Sequence, residues 1–187
     1  MKYTIVYSSR TGNTKMLADQ ALAVFRNTGE GECLFYGDAA AALQEGQKRG
    51  EIAERADILC VGFWTDKGNA DADALAFLKT LGEMVSVPGK LILFGTAGFG
   101  SDQSYYDRVI GNIAQVLPKA VNPAAYFMCQ GRMASTVLER YQAMLEADPG
   151  DGRASRMIEN YHAALSHPGQ EDFTAFKQFL EKIIGTK

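Results

Sequence analysis

Ile58-Leu59-Cys60-Val61-Gly62-Phe63 is an uninterrupted apolar run of strand length. A strand wetted on one side alternates polar and apolar residues, whereas a continuous run fits a central parallel strand covered on both faces. Parallel strands need crossover segments, and the flanking sequence supplies them. Strands are predicted at 3–8, near 32–36, at 58–63, at 90–94 and at 124–129, with helices at 13–27, 39–54, 70–82 and 102–117 between them. Residues 172–184 read as a last helix, with Phe173, Phe176, Leu180, Ile183 and Ile184 on one stripe. Strand–helix alternation of this kind predicts an α/β fold, a three-layer doubly wound parallel sheet with right-handed crossovers.

At 187 residues, 47% hydrophobic and 22% charged, the chain has the size and composition of one soluble domain spanning 1–187. No apolar run reaches the length of a membrane span. The chain enters its first strand at once, which leaves no room for a signal peptide. Cys33, Cys60 and Cys129 are widely spaced and each falls in a predicted strand, as buried reduced thiols would. A cytoplasmic protein is expected. Between the fifth strand and the last helix lies a helical insertion at about 133–168, longer than a simple connection needs. Helices are predicted there at 136–146 and 154–165, separated by Asp148-Pro149-Gly150-Asp151-Gly152. The insertion is either a cap over the sheet edge or a docking surface for a redox partner.

The first strand runs into Ser8-Ser9-Arg10-Thr11-Gly12-Asn13-Thr14, where a helix begins. A helix N-terminus offers unpaired N–H donors and the positive end of the helix dipole, which favour an anion. Ser9, Thr11 and Thr14 add three hydroxyls able to donate to phosphate oxygens, and Gly12 permits a left-handed turn. An ordinary N-cap needs one hydroxyl, not three with an intervening Gly. Neither G-x-x-x-x-G-K-[ST] nor G-x-G-x-x-G follows the first strand.

Ile5-Val6-Tyr7-Ser8-Ser9-Arg10-Thr11-Gly12-Asn13-Thr14 resembles the phosphate loop of the flavodoxin family. The resemblance covers nearly the whole chain outside the insertion. It implies a five-stranded sheet in the order 2-1-3-4-5, and FMN bound at the carboxyl ends of the strands with its phosphate on residues 9–14. Gly62-Phe63-Trp64, Asp66-Lys67-Gly68 and Phe127-Met128-Cys129-Gln130-Gly131-Arg132-Met133 also resemble the flavodoxin-like proteins that accompany bacterial bilirubin reductases.

Two further loops complete the expected cofactor site. Trp64, the only tryptophan, follows the third strand and can lie flat against an isoalloxazine ring, with Thr65, Lys67 and Gly68 beside it. The family often has Gly directly after that aromatic residue, whereas here Thr65 follows and Gly68 comes later. Either Gly68 or the Trp64–Thr65 peptide then faces flavin N5. After the fourth strand, Thr96, Ala97 and Gly98 offer backbone to the flavin's polar edge, while Phe99 or Tyr105 covers the ring face opposite Trp64.

His162 and His167 both fall in the insertion, so no histidine serves these loops, and the reactive group is expected to be the cofactor itself. The resemblance implies an FMN-containing electron carrier that passes electrons singly from a donor to a partner reductase. The alternative is an FMN-dependent oxidoreductase acting on a quinone or a porphyrinogen-type substrate. The net charge of −3 is mild for this family. Asp66, Asp71, Asp73 and Asp102 are expected near the ring edge, offset by Lys67, Arg10 and Arg132.

Overall fold

The computed structural model describes residues 1–27, 31–44, 52–83, 88–100 and 102–185. In chain order it has β1 (Lys2–Tyr7), α1 (Asn13–Asn27), β2 (Glu32–Asp38), α2 (Ala39–Gln44), β3 (Ile58–Asp66), β4 (Asn69–Ala70) and α3 (Ala72–Thr80). There follow β5 (Lys90–Ala97), α4 (Gln103–Ala114), β6 (Pro123–Gln130), α5 (Ser135–Ala147), α6 (Gly152–Ala164) and α7 (Gln170–Gly185). The long strands form a parallel sheet in the order β2-β1-β3-β5-β6, and the short β4 pairs antiparallel with the end of β3. Without β4, this is the 2-1-3-4-5 order.

Period-two alternation sorts the strand side chains into two cores. Leu59, Val61 and Phe63 of β3 join Leu91 and Leu93 of β5 on one face, under Ala39 and Ala42 of α2, Phe77 and Leu78 of α3, and Val109 and Ile113 of α4. Ile58, Cys60, Ile92 and Phe94 point to the other face, where Leu17, Ala21 and Phe25 of α1 meet Phe176 and Leu180 of α7. β3 is therefore buried from Ile58 to Phe63, as its unbroken apolar run requires.

Glycine and phenylalanine interlock across β3 and β5. Gly62 pairs with Phe94, and Phe63 pairs with Gly95. A Cβ on Gly62 would sit 2.4 Å from the Phe94 ring, and one on Gly95 2.5 Å from the Phe63 ring. The outer end of each ring thus fills the space beside the glycine opposite, and any side chain there would displace it.

Several boundaries differ from expectation. β3 runs on to Asp66 and β5 to Ala97, because both continue to pair beyond the apolar run, Trp64 with Thr96 and Ala97 with Gln130. Trp64, Thr65, Thr96 and Ala97 are consequently held by strand hydrogen bonding, not by loops. The helix predicted over 39–54 is helical at Ala39–Gln44 and again at 52–54, and its stretch 45–51 lies outside the described residues. Cys60 and Cys129 are buried, but Cys33 is exposed, because β2 is an edge strand.

Candidate functional site

A cleft of about 480 Å³ opens at the carboxyl ends of β1, β3, β5 and β6. That volume suits a small-molecule cofactor, and the crevice lies where the strand order reverses between β1 and β3. Of the residues singled out in the sequence, Arg10, Thr11, Asn13, Trp64, Thr65, Lys67, Gly68, Thr96, Ala97, Gly98, Phe99 and Tyr105 line it. Ser9, Gly12 and Thr14 sit in the same turn without forming the cleft wall. A smaller groove of about 300 Å³ between α1 and α7, with Gln20, Phe173 and Lys177 on its sides, gathers none of these residues.

The turn after β1 is organised by its own polar groups. Gly12 takes φ +85°, the left-handed conformation that glycine adopts without Cβ strain. The Ser9 hydroxyl accepts from the Lys15 N–H at 3.1 Å, and Met16 N–H donates to the Gly12 carbonyl at 3.0 Å. Thr14 departs from the expected phosphate contact. It is fully buried, and its hydroxyl sits 3.2 Å from the Phe63 carbonyl and 3.0 Å from Thr96 Oγ1. With one proton each, Thr96 donates to Thr14 and Thr14 to Phe63, which leaves Thr14 no proton for a ligand. Its work is to fasten α1 to β3 and β5.

Asn13 ties the same turn to the loop after β6. Its Nδ2 donates to the Arg132 carbonyl at 2.8 Å and to Thr11 Oγ1 at 2.9 Å. Asn13 Oδ1 and Thr65 Oγ1 are buried and have no hydrogen-bond partner among the described residues. Both residues line the cleft. Orphaned polar atoms at a cleft wall are costly unless something in the cleft completes them.

Asp66-Lys67-Gly68-Asn69 forms a two-residue hairpin turn between β3 and β4. Lys67 takes φ 49° and Gly68 φ 80°, the paired positive values of a type I′ turn. The Gly68 carbonyl accepts from Asn112 Nδ2 at 2.9 Å, which anchors the turn to α4. Rotating that peptide would break this bond, whereas the strand-held Trp64–Thr65 peptide lies beside the orphaned Thr65 hydroxyl.

The carboxylates are distributed differently from expectation. Asp71 is 2% exposed and caps α3, accepting from Asp73 N–H, Ala74 N–H and Trp64 N–H. Burial pushes its carboxyl above the usual carboxylate range, and hydrogen bonds from Ser8, Ala74, Trp64 and Asp73 oppose that rise. Asp102 caps α4 through Ser104 N–H. Neither they nor Asp73 line the cleft; Asp66 does. Against that single carboxylate stand Arg10, Lys67, Arg132 and Arg140, so the opening is cationic in a chain of net charge −3.

Three aromatic side chains on the wall are each paired with an arginine, among them Tyr141 with Arg140 at 5.4 Å. The Arg10 guanidinium lies 5.6 Å from the Trp64 ring centroid, and that of Arg108 5.8 Å from the Tyr105 centroid. Burial raises the Tyr105 phenol, with Arg108 pulling the other way, so it stays a neutral donor. Cys60 and Cys129 are also pushed up by burial, which keeps both thiols protonated and unreactive.

One wall was not foreseen. Gly131, Met133, Ala134, Thr136, Val137, Arg140 and Tyr141 also line the cleft, so α5 builds part of the site instead of only covering a sheet edge. α6 supports the arrangement from behind. Asn160 Nδ2 donates to the Gly98 carbonyl at 2.9 Å, and Gln130 Nε2 lies 3.1 Å from both that carbonyl and Asn160 Oδ1. The available signal was positional: β6 ends at the same sheet edge as β1, β3 and β5, and α5 follows it almost at once.

Comparison with known proteins places the chain in a family and agrees with the fold. Residues 4–181 match the flavodoxin domain family. The chain is 54% identical over 180 residues to the flavodoxin-like domain-containing protein BilS of Clostridium symbiosum (strain WAL-14163), covering 96% of this chain and 94% of that protein. Among solved structures, a short-chain flavodoxin associated with a bacterial microcompartment superposes with TM-score 0.50 at 15% identity, covering 89% of this chain and 97% of that one. The Flv1 flavodiiron core from Synechocystis also gives TM-score 0.50, at 14% identity over 98% of this chain, which spans only 36% of that longer protein. At such identities the two structures speak for the fold alone.

Proposed function

The chain belongs to the flavodoxin family, and on that premise we propose that it binds FMN in the cleft and passes electrons singly to a partner reductase. One observation carries the reading. Three loops distant in sequence, after β1, β3 and β5, converge on one cleft whose wall keeps Asn13 Oδ1 and Thr65 Oγ1 buried and unpaired.

The residues present suit that cofactor. Thr11 and Arg10, with the backbone N–H groups at the start of α1, would hold the phosphate, with the helix dipole adding attraction, while the Asn13 side chain, whose Nδ2 is already engaged, fixes the shape of the turn. Trp64 and Phe99 or Tyr105 would flank the ring system. The Thr65 hydroxyl is free to donate to a ring carbonyl or accept from a ring N–H. Bound FMN supplies the redox chemistry. The protein's part is to orient the ring, limit water around it with α5, and place cations beside it. No cleft-lining residue offers a nucleophile–base pair, so the chain's own groups bind and tune.

The partner reductase belongs to the same proposal. Its support is the resemblance of residues 62–68 and 127–133 to proteins that accompany bilirubin reductases. No described helix is long and apolar enough to cross a membrane, and a cytoplasmic location is proposed with the rest.

The test is a titration of the purified chain with FMN, followed by stepwise reduction under visible spectroscopy. Quenching of the Trp64 emission with saturable FMN uptake, and reduction in two resolved one-electron stages, are expected. Absence of binding would overturn the cofactor assignment. A single two-electron stage, with steady turnover of a quinone and no protein partner, would replace the carrier by the oxidoreductase.

A further inference from the structure

We propose that the cleft mouth is a docking surface for an acidic protein, one that presents carboxylates around its own redox centre. The inference rests on the reading that the cleft holds a redox flavin. It goes further by fixing the charge of the partner.

Arg10, Lys67, Arg132 and Arg140 are all exposed at the mouth, against Asp66 alone. The remaining surface is net acidic, since the chain as a whole carries −3. Asp73, Asp102 and Glu139, exposed carboxylates on neighbouring elements, do not line the opening. With Asp66 counted the lining carries three net positive charges, and a bound phosphate contributes at most about two negative ones, so about one positive charge is left over. The mouth therefore stays positive with the nucleotide in place. A molecule with a positive mouth on a negative body is a dipole that turns its opening toward an acidic partner and away from a basic one.

Phe99 supplies the apolar centre such a contact needs. It is 41% exposed on the rim of the cleft, and exposed aromatic side chains are enriched at the centres of protein interfaces. Arg140 comes from α5, so the helices between β6 and α7 contribute charge to the docking face as well as a wall to the cleft. Both sequence-level readings of that segment, cap and docking surface, then describe the same element.

The experiment uses acidic cytochrome b5 and basic cytochrome c as probes on the full chain. Binding is read first without flavin, by amide shift perturbation. Shifts near Phe99 and Arg140 with cytochrome b5, absent with cytochrome c, are expected. The FMN-loaded and reduced chain is then mixed with each cytochrome at rising salt. The electron-transfer rate to cytochrome b5 should fall at least several-fold between about 20 and about 300 mM ionic strength, while that to cytochrome c should hold or rise. Arg132→Glu with Arg140→Glu, kept saturated with FMN, should reverse the two trends. Salt-weakened transfer to cytochrome c in the parent chain would overturn the proposal, as would identical responses to both probes. Equal affinity for a DNA duplex would mark unselective polyanion capture and overturn it too. Failure to bind FMN would remove the cofactor reading alone, because the flavin-free shifts still decide the charge of the partner.

Discussion

The guanidinium of Arg10 rests 5.6 Å from the centroid of the Trp64 ring, so a cation shares the tryptophan that the cofactor ring is expected to meet. Arg10 serves phosphate binding best if it leaves the indole when the nucleotide enters. Arg10→Ala should weaken FMN binding about tenfold, the ~1.4 kcal/mol of one charge-assisted contact. Riboflavin, which has no phosphate, should bind unchanged or more tightly. Quenching of the single Trp64 emission measures both, and equal losses would show that Arg10 does not read the phosphate.

Thr11 and Thr14 look interchangeable in the sequence, but the fold separates them. Thr14→Val leaves the Phe63 carbonyl and the Thr96 hydroxyl short of a partner in a buried setting. It should lower stability by about 1–3 kcal/mol, read as a reduced urea midpoint at unchanged slope. Thr11→Val, at an exposed position, should leave the midpoint nearly unmoved and weaken FMN more than riboflavin. A riboflavin loss as large as the FMN loss would exclude Thr11 from phosphate recognition.

Asp71 gives a pH signature. Its carboxyl is raised in the folded chain by burial, so the native state holds the proton more readily than the unfolded state does. Its contribution to stability is then fully present below the ordinary carboxylate range and declines as pH rises through the raised value. Asp71→Ala, which removes the α3 cap, should cost about 1–2 kcal/mol near neutral pH. The gap from the parent protein should widen on acidification. Denaturation curves collected from pH 3 to pH 7 would check this, and a gap that narrows in acid would contradict the direction of the shift.

Lys67 holds a positive φ of 49° that glycine or asparagine would adopt more easily, and its charge lies on the cleft wall. If that charge favours the reduced cofactor, Lys67→Glu should lower the midpoint potential of bound FMN, and Lys67→Ala should lower it less. Lys67→Asn, which keeps the turn and removes the charge, should match Lys67→Ala in potential without loss of stability. Unchanged midpoints in all three variants would remove Lys67 from the redox tuning.

The apolar run 58–63 and the turn after β1 made the sheet legible, because burial on both faces and a helix start leave strong local signatures. Trp64, Lys67 and Phe99 were identifiable for the same reason, as they follow strands whose ends are visible in the pattern. The fate of individual polar groups was not legible. Nothing local distinguishes Thr14, turned inward to Phe63 and Thr96, from Thr11, which faces the cleft. Asp71 is expected from the sequence near the ring edge and proves to be a buried cap. The α5 wall depends on how a helix folds back after β6, a tertiary event that helical periodicity does not encode. Strand lengths were underestimated because pairing continues past the apolar run through Trp64–Thr96 and Ala97–Gln130.

The side chains of Asn160 and Gln130 both reach the carbonyl of Gly98, at 2.9 and 3.1 Å. That shared anchor ties α6 and the end of β6 to the peptide that follows β5. A shortened chain, trimmed to the dimensions of a minimal carrier, would not simply shed an ornament. It would slacken the end of β5 at the cleft, so removal of α6 should cost both stability and the shape of the cleft.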